Sequence, residues 1–124
     1  MGTNIRLAEP ICMEVFGARV VRLIEGGNAV PVVWSNSLSI TDEDQTTIDI
    51  HLLYGSSDSA SNNHSIGRWR IVKIPLFEKG KPDIDVEINI NEDGRVVVAA
   101  SISGWPLKVM PVGVIKSVPV EQSM

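Results

Sequence analysis

The side chains able to do chemistry are few in this chain, and they lie far apart. Two histidines, His51 and His64, one cysteine, Cys12, and the acidic run Asp42-Glu43-Asp44 are the candidates for metal binding or catalysis. A zinc site needs Cys, His or carboxylate ligands at spacings that let one ion meet them all. His51 falls in an alternating stretch, on the side opposite Ile48. His64 falls in a polar stretch with no Cys or carboxylate at ligand spacing. Both read as surface histidines. The acidic run lacks the glycine and closing glutamate of a calcium loop, and reads as a solvated turn. Cys12 stands between Ile11 and Met13, where a thiol behaves as a small buried hydrophobe. A lone cysteine forms no internal disulfide and suits a reducing compartment. No Gly-rich phosphate cradle and no nucleophile elbow occurs. The expectation is a non-enzyme that uses neither metal nor cofactor.

Charge narrows the partners. The net charge is -4, and the 11 Lys and Arg residues are scattered, which argues against a nucleic-acid surface. Arg68 and Arg70 flank Trp69 on what reads as a strand, so they form a solvated strand face. No apolar stretch approaches the roughly 18 residues that span a bilayer. The N-terminus lacks the basic-then-apolar layout of a signal peptide. Gly2 invites myristoylation, but Arg6 stands where Ser or Thr is required. A cytoplasmic protein with no membrane partner is expected. With 124 residues, 44% hydrophobic and 21% charged, the chain fits one domain with a real core.

The elements that must position these residues read as short strands parted by turn chemistry. Residues 11–16 and 19–24 are apolar runs separated by Gly17-Ala18, which predicts a tight hairpin. Gly26-Gly27-Asn28 is a strong turn signal, and residues 30–40 follow, entered through Pro31. In residues 47–54, Ile48, Ile50, Leu52 and Tyr54 project one way, and Asp49, His51 and Leu53 the other. Residues 55–65 form the most polar stretch, with no apolar residue larger than Ala60, and read as a mobile loop. Residues 66–74 resume the strand pattern, and 75–82 form a connection rich in Pro, Gly and Lys. Ile84, Val86, Ile88 and Ile90 then alternate with Asp85, Glu87 and Asn89, the cleanest half-buried strand in the chain. Asn91-Glu92-Asp93-Gly94 turns it into residues 95–101, read as a more fully buried strand. Pro106, Pro111 and Pro119 forbid a long helix in the tail, where one more strand near 107–112 precedes an extended or frayed end. About seven or eight short strands at this spacing predict an all-β fold, a two-layer antiparallel β-sandwich.

Two stretches carry a family resemblance. The first runs Ile66-Gly67-x-Trp69-x-Ile71-x-x-Ile74-Pro75, then Lys79-Gly80-x-Pro82, the alternating strand to Ile90, and Asn91-x-Asp93-Gly94, with Val96, Val98 and Ala100 continuing it. The second is Val30-Pro31, then Leu38-Ser39-x-Thr41-x-x-x-Gln45-x-x-Ile48-x-Ile50, and Gly55. With Pro10 as its start, this arrangement resembles the substrate-binding β-sandwich of Hsp70-type (DnaK-type) chaperones over about residues 9–102. The implied organisation is an N-terminal extension at 1–8, a peptide-binding sandwich at 9–104, and a last strand with an extended tail at 105–124.

What the resemblance implies is a chaperone-like module that holds extended hydrophobic peptides or unfolded protein segments in a channel between loops. Carried over position by position, the channel would be lined by Val15, Leu38, Ile48 and Ile50. Phe16 and Thr41 would stand at the two halves of an arch over the peptide. Burying one leucine there would supply roughly 1.5 to 3 kcal/mol, for an affinity on the order of micromolar at best. The hairpin between Phe16 and Arg19 is about two residues shorter than the family pattern, and Thr41 is a small polar group. Neither the family's ATPase domain nor its helical lid has a counterpart here, so a separate ATPase domain in a parent protein is a further expected partner. Two other readings stand beside this one. One is a structural or docking domain that keeps the sandwich but has lost the channel. The other is a glycan-binding sandwich, for which 3 Trp and 1 Tyr offer little stacking surface.

Overall fold

Branched apolar residues alternating with polar ones fit a pleated surface with one dry face, and ten strands result among the described residues. The structure, a computed structural model, describes residues 4–39, 46–75 and 83–123. In chain order the strands are β1 (Asn4–Leu7), β2 (Ile11–Val15), β3 (Arg19–Ile24), β4 (Val32–Ser39), β5 (Ile48–Tyr54), β6 (His64–Val72), β7 (Asp83–Ile90), β8 (Val96–Ile102), β9 (Trp105–Val112) and β10 (Val120–Ser123). All pairings between them are antiparallel. Eight strands run in the order β3-β2-β5-β6-β9-β8-β7-β4, and β1 pairs with β10 in a separate ribbon. The fold is an all-β sandwich.

β9 makes two layers out of one ladder. Its first residues pair with β8, with Trp105 opposite Ile102 and Leu107 opposite Ala100. Its later residues pair with β6, from Lys108 opposite Val72 to Val112 opposite Arg68. Each half of β9 therefore pairs on one side only, which leaves room for Pro106 and Pro111, residues that cannot donate to a ladder. The inward residues of both layers form one core: Ile50, Leu52, Ile66, Trp69 and Ile71 from one, Ile84, Val86, Ile88 and Ile90 from the other.

Two expectations need correction. The strand after Gly94 is not buried on both faces: Val96, Val98, Ala100 and Ile102 are buried, but Val97 is 53% exposed. A two-layer sandwich covers each strand on one side only, and residue 97 takes the solvent side. Residues 55–65 do not form a featureless loop. A 3-10 turn spans Ala60–Asn62, and Asn63 Nδ2 donates to the Ser57 and Ser59 carbonyls at 2.8 and 3.2 Å. Ala60, the largest apolar residue of that stretch, seats it against Cys12, Leu53 and Val20. Of the extended or frayed end expected for the tail, the described residues take the extended form. Val118 is buried, Lys116 N–H donates to the Ile66 carbonyl at 2.8 Å, and β10 closes onto β1 with Val120 opposite Leu7.

Candidate functional site

Antiparallel pairing fixes which side chains share an end of the sandwich. β2 runs antiparallel to β5, so Val15 and the turn after it lie beside the start of β5, where Ile48 stands. Ile48 is opposite Ile71 near the end of β6, and Leu38 is opposite Ile84 at the start of β7. Val15, Phe16, Leu38, Ile48 and Ile50 are thus gathered at one end. Thr41 lies outside the described residues.

Their surroundings differ. Ile48 and Leu38 are half-buried and pack against the core, and Val15 is half-buried at the end of its strand. Ile50, one repeat deeper, is 1% exposed and belongs to the core itself. Phe16 is 99% exposed. It begins the turn at 16–18, where Gly17 and Ala18 both take positive φ, +83° and +60°. For Ala18 that left-handed backbone costs about 1–2 kcal/mol, the consequence of reversing the chain in so few residues. The turn leaves the Phe16 ring without packing against the described residues. Trp105, 75% exposed, stands at the same end, opposite Ile102 at the close of β8.

A second group of residues converges on the outer face of β2, β5 and β6. Glu14 Oε1 lies 2.6 Å from His51 Nδ1, and His51 Nε2 lies 2.8 Å from Ser65 Oγ. The His51 side chain is 12% exposed, so it is no ordinary surface histidine. The pairing register steps between Leu52 and Leu53: Leu52 is opposite Gly67 and Leu53 opposite Ser65, leaving Ile66 as the extra residue. That bulge sends Ile66 into the core and turns Ser65 outward to meet His51. The carboxylate, imidazole and hydroxyl tie three strands together on the solvent side. Sequence reading missed this group, because its only signal is a register and a bulge that no local pattern announces. His64 was also expected in a loop; it opens β6 and stacks on Tyr54, with ring centroids 5.0 Å apart.

Arg68 and Arg70 are exposed on this same face, flanking the buried Trp69. Arg70 Nε donates to Asp49 Oδ1 at 2.7 Å, and this bond holds the Asp49 carboxyl below the usual carboxylate range. Cys12 is buried, and burial pushes its thiol pKa up, with the Arg22 charge opposing. Among the described residues no three His, Cys, Asp or Glu side chains gather as metal ligands. No helix among them is long and apolar enough to cross a membrane.

On the opposite outer face, a groove of about 580 Å³ runs over β4, β7 and β8, lined by Ser35, Ser37, Asp85, Glu87, Ala99 and Ser101. Ser37 Oγ donates to Asp85 Oδ1 at 2.7 Å. These are the solvent-facing half of the alternation whose apolar half builds the core. Compared with known protein families, residues 7–107 match the family model described as Hsp70 protein.

Proposed function

This chain belongs to the Hsp70 family, and from that premise we propose that it is a non-enzymatic, cytoplasmic peptide-binding module that holds extended apolar segments of unfolded polypeptides. The observation that carries the reading is the end of the sandwich where Val15, Leu38 and Ile48 are half-buried and Phe16 is fully exposed. An exposed phenylalanine forgoes roughly 1.5–3 kcal/mol of burial, which a partner covering it would recover. An extended segment laid there would supply its own apolar side chains to the half-buried ones, with main-chain hydrogen bonds to the neighbouring loops. A separate ATPase domain, which the family implies, is a further proposed partner.

The test is titration of a fluorescently labelled, Leu-centred heptapeptide followed by anisotropy. Saturable binding in the micromolar range is expected. Ile48→Asp should abolish it with the circular dichroism spectrum retained. Phe16→Ser, at a site that supports no packing, should weaken it without any cost in stability. Absence of saturable binding at high micromolar protein overturns the proposal.

A second reading is favoured by two specific observations: the turn at 16–18 is short, and Ile50 is fully buried. On that reading the sandwich is a structural or docking domain whose channel has closed. Ile48→Asp would then unfold the protein, and Phe16→Ser would leave every peptide measurement unchanged.

A further inference from the structure

A sheet that ends in an open strand offers unpaired N–H and C=O groups to any other strand, and proteins guard such edges with charge, proline, bulges or a covering loop. The two edges of the eight-stranded ladder are β3 and β4, and they are treated differently. The β3 edge is covered. Val20 N–H donates to the Asp58 carbonyl at 3.3 Å, Ala60 N–H donates to the Ala18 carbonyl at 2.9 Å, and Arg19 bridges to Ser59. β3 also carries Arg19 and Arg22 and a register shift against β2.

β4 has none of these guards among the described residues. Its sequence, Val-Val-Trp-Ser-Asn-Ser-Leu-Ser, holds no charge and no proline. Its eight residues pair with β7 in unbroken register from Val32 opposite Ile90 to Ser39 opposite Asp83, and no other strand pairs with it. Val32, Trp34 and Leu38 face the core yet stay half-buried, and among the described residues no strand lies beyond them. Val33, on the outer face, is 56% exposed.

We propose that the β4 edge is an interface for a second copy of this chain, joined strand to strand in antiparallel fashion about a two-fold axis at Asn36. Side chains alternate with a period of two, so a two-fold seam that keeps both core faces on one side must be centred on a residue. Centred on Asn36, it sets Trp34 of each copy opposite Leu38 of the other, and Ser35 opposite Ser37, with the Asn36 side chains meeting on the axis. The half-buried apolar pair is covered twice over, and cross-strand pairs of this kind stabilise sheets. An uncharged strand meets its own copy without like-charge penalty. The acidic row Asp83, Asp85 and Glu87 lies one strand inward. The two rows then stand three strand spacings apart, about 14 Å, beyond the ~8 Å screening length of physiological salt. Ser37 N–H donates to Asn36 Oδ1 at 2.8 Å, a local bond that the incoming strand replaces.

A seam one strand long is a small interface, so association depends on concentration. Sedimentation of the full chain without added peptide, from micromolar to millimolar, should show the mass rising from 13.5 kDa toward twice that value. Ser35→Lys combined with Ser37→Lys sets lysines opposite one another across the seam. Within the chain they face Glu87 and Asp85, so the fold is kept. This variant should sediment as a monomer throughout. Asn36→Cys should cross-link to a disulfide dimer under mild oxidation, while the parent chain, whose Cys12 is buried, should not. A parent chain that stays at 13.5 kDa over the whole range, or a dimer that survives the double substitution, overturns the proposal. Because no peptide is present, either result is independent of the peptide-binding reading.

Discussion

The Val118 N–H donates to the Gly94 carbonyl at 2.9 Å, and the Val118 carbonyl oxygen lies too close to admit a Cβ on residue 94. Val118 therefore joins the turn between β7 and β8 to the tail that closes the fold. Gly94 also takes φ +84°, a conformation that only glycine adopts without cost.

These two demands can be separated by substitution. Gly104 has φ +83° with nothing near its missing Cβ. Gly104→Ala should lose only the backbone contribution, about 1–2 kcal/mol. Gly94→Ala should lose clearly more, because the tail must also shift. Urea unfolding of both variants measures the difference, and equal losses would show that the tail does not press on residue 94.

His51→Ala should destabilise the domain by about 1–3 kcal/mol, since it removes the short hydrogen bond of the half-buried Glu14 carboxylate and leaves it only Arg68, at 4.0 Å. Ser65→Ala, which removes the exposed end of the same chain of bonds, should cost less. If His51→Ala unfolds at the parental urea concentration, the outer-face group does not hold the strands together.

The Asp49–Arg70 pair predicts a pH signature. Asp49 titrates below the ordinary aspartate range, mainly through its hydrogen bond with Arg70. A carboxyl with a depressed folded pKa stabilises the fold above the unfolded value, and that contribution fades as pH falls through the folded one. Asp49→Asn should therefore lower the melting temperature slightly at pH 7, and the gap should close on acidification below about pH 3.8. The pair is exposed, so the effect is small and should shrink in high salt. A gap that persists at low pH would point to packing instead.

Much of the sandwich was legible because alternation is a local signal. Ile84, Val86, Ile88 and Ile90 could be assigned to the core from their spacing alone, and all four are buried. The turn glycines at 17 and 94 could be placed for the same reason. The misread stretches depend on what lies across from them. Residues 96–102 carry apolar side chains on both faces, so composition could not say which face would be dry. The polar run 55–65 is held by the Asn63 side chain and by the β3 edge, neither of which a polarity count registers. Glu14, His51 and Ser65 come together only through two strand registers and a bulge. At the candidate site, family resemblance supplied the residues. Periodicity could say only that Ile48 and Ile50 face the same way, not that one is half-buried and the other sealed in the core.

The central claim is that an extended apolar segment docks at the end of the sandwich marked by Val15, Phe16, Leu38 and Ile48. Heteronuclear NMR of the isotope-labelled chain, titrated with an unlabelled Leu-centred heptapeptide, tests it most directly. The account predicts saturable shift changes concentrated at those four residues, with the outer faces around His51 and Ser35 unmoved. A spectrum unchanged at high micromolar peptide, or saturable changes confined to the outer faces, would contradict it.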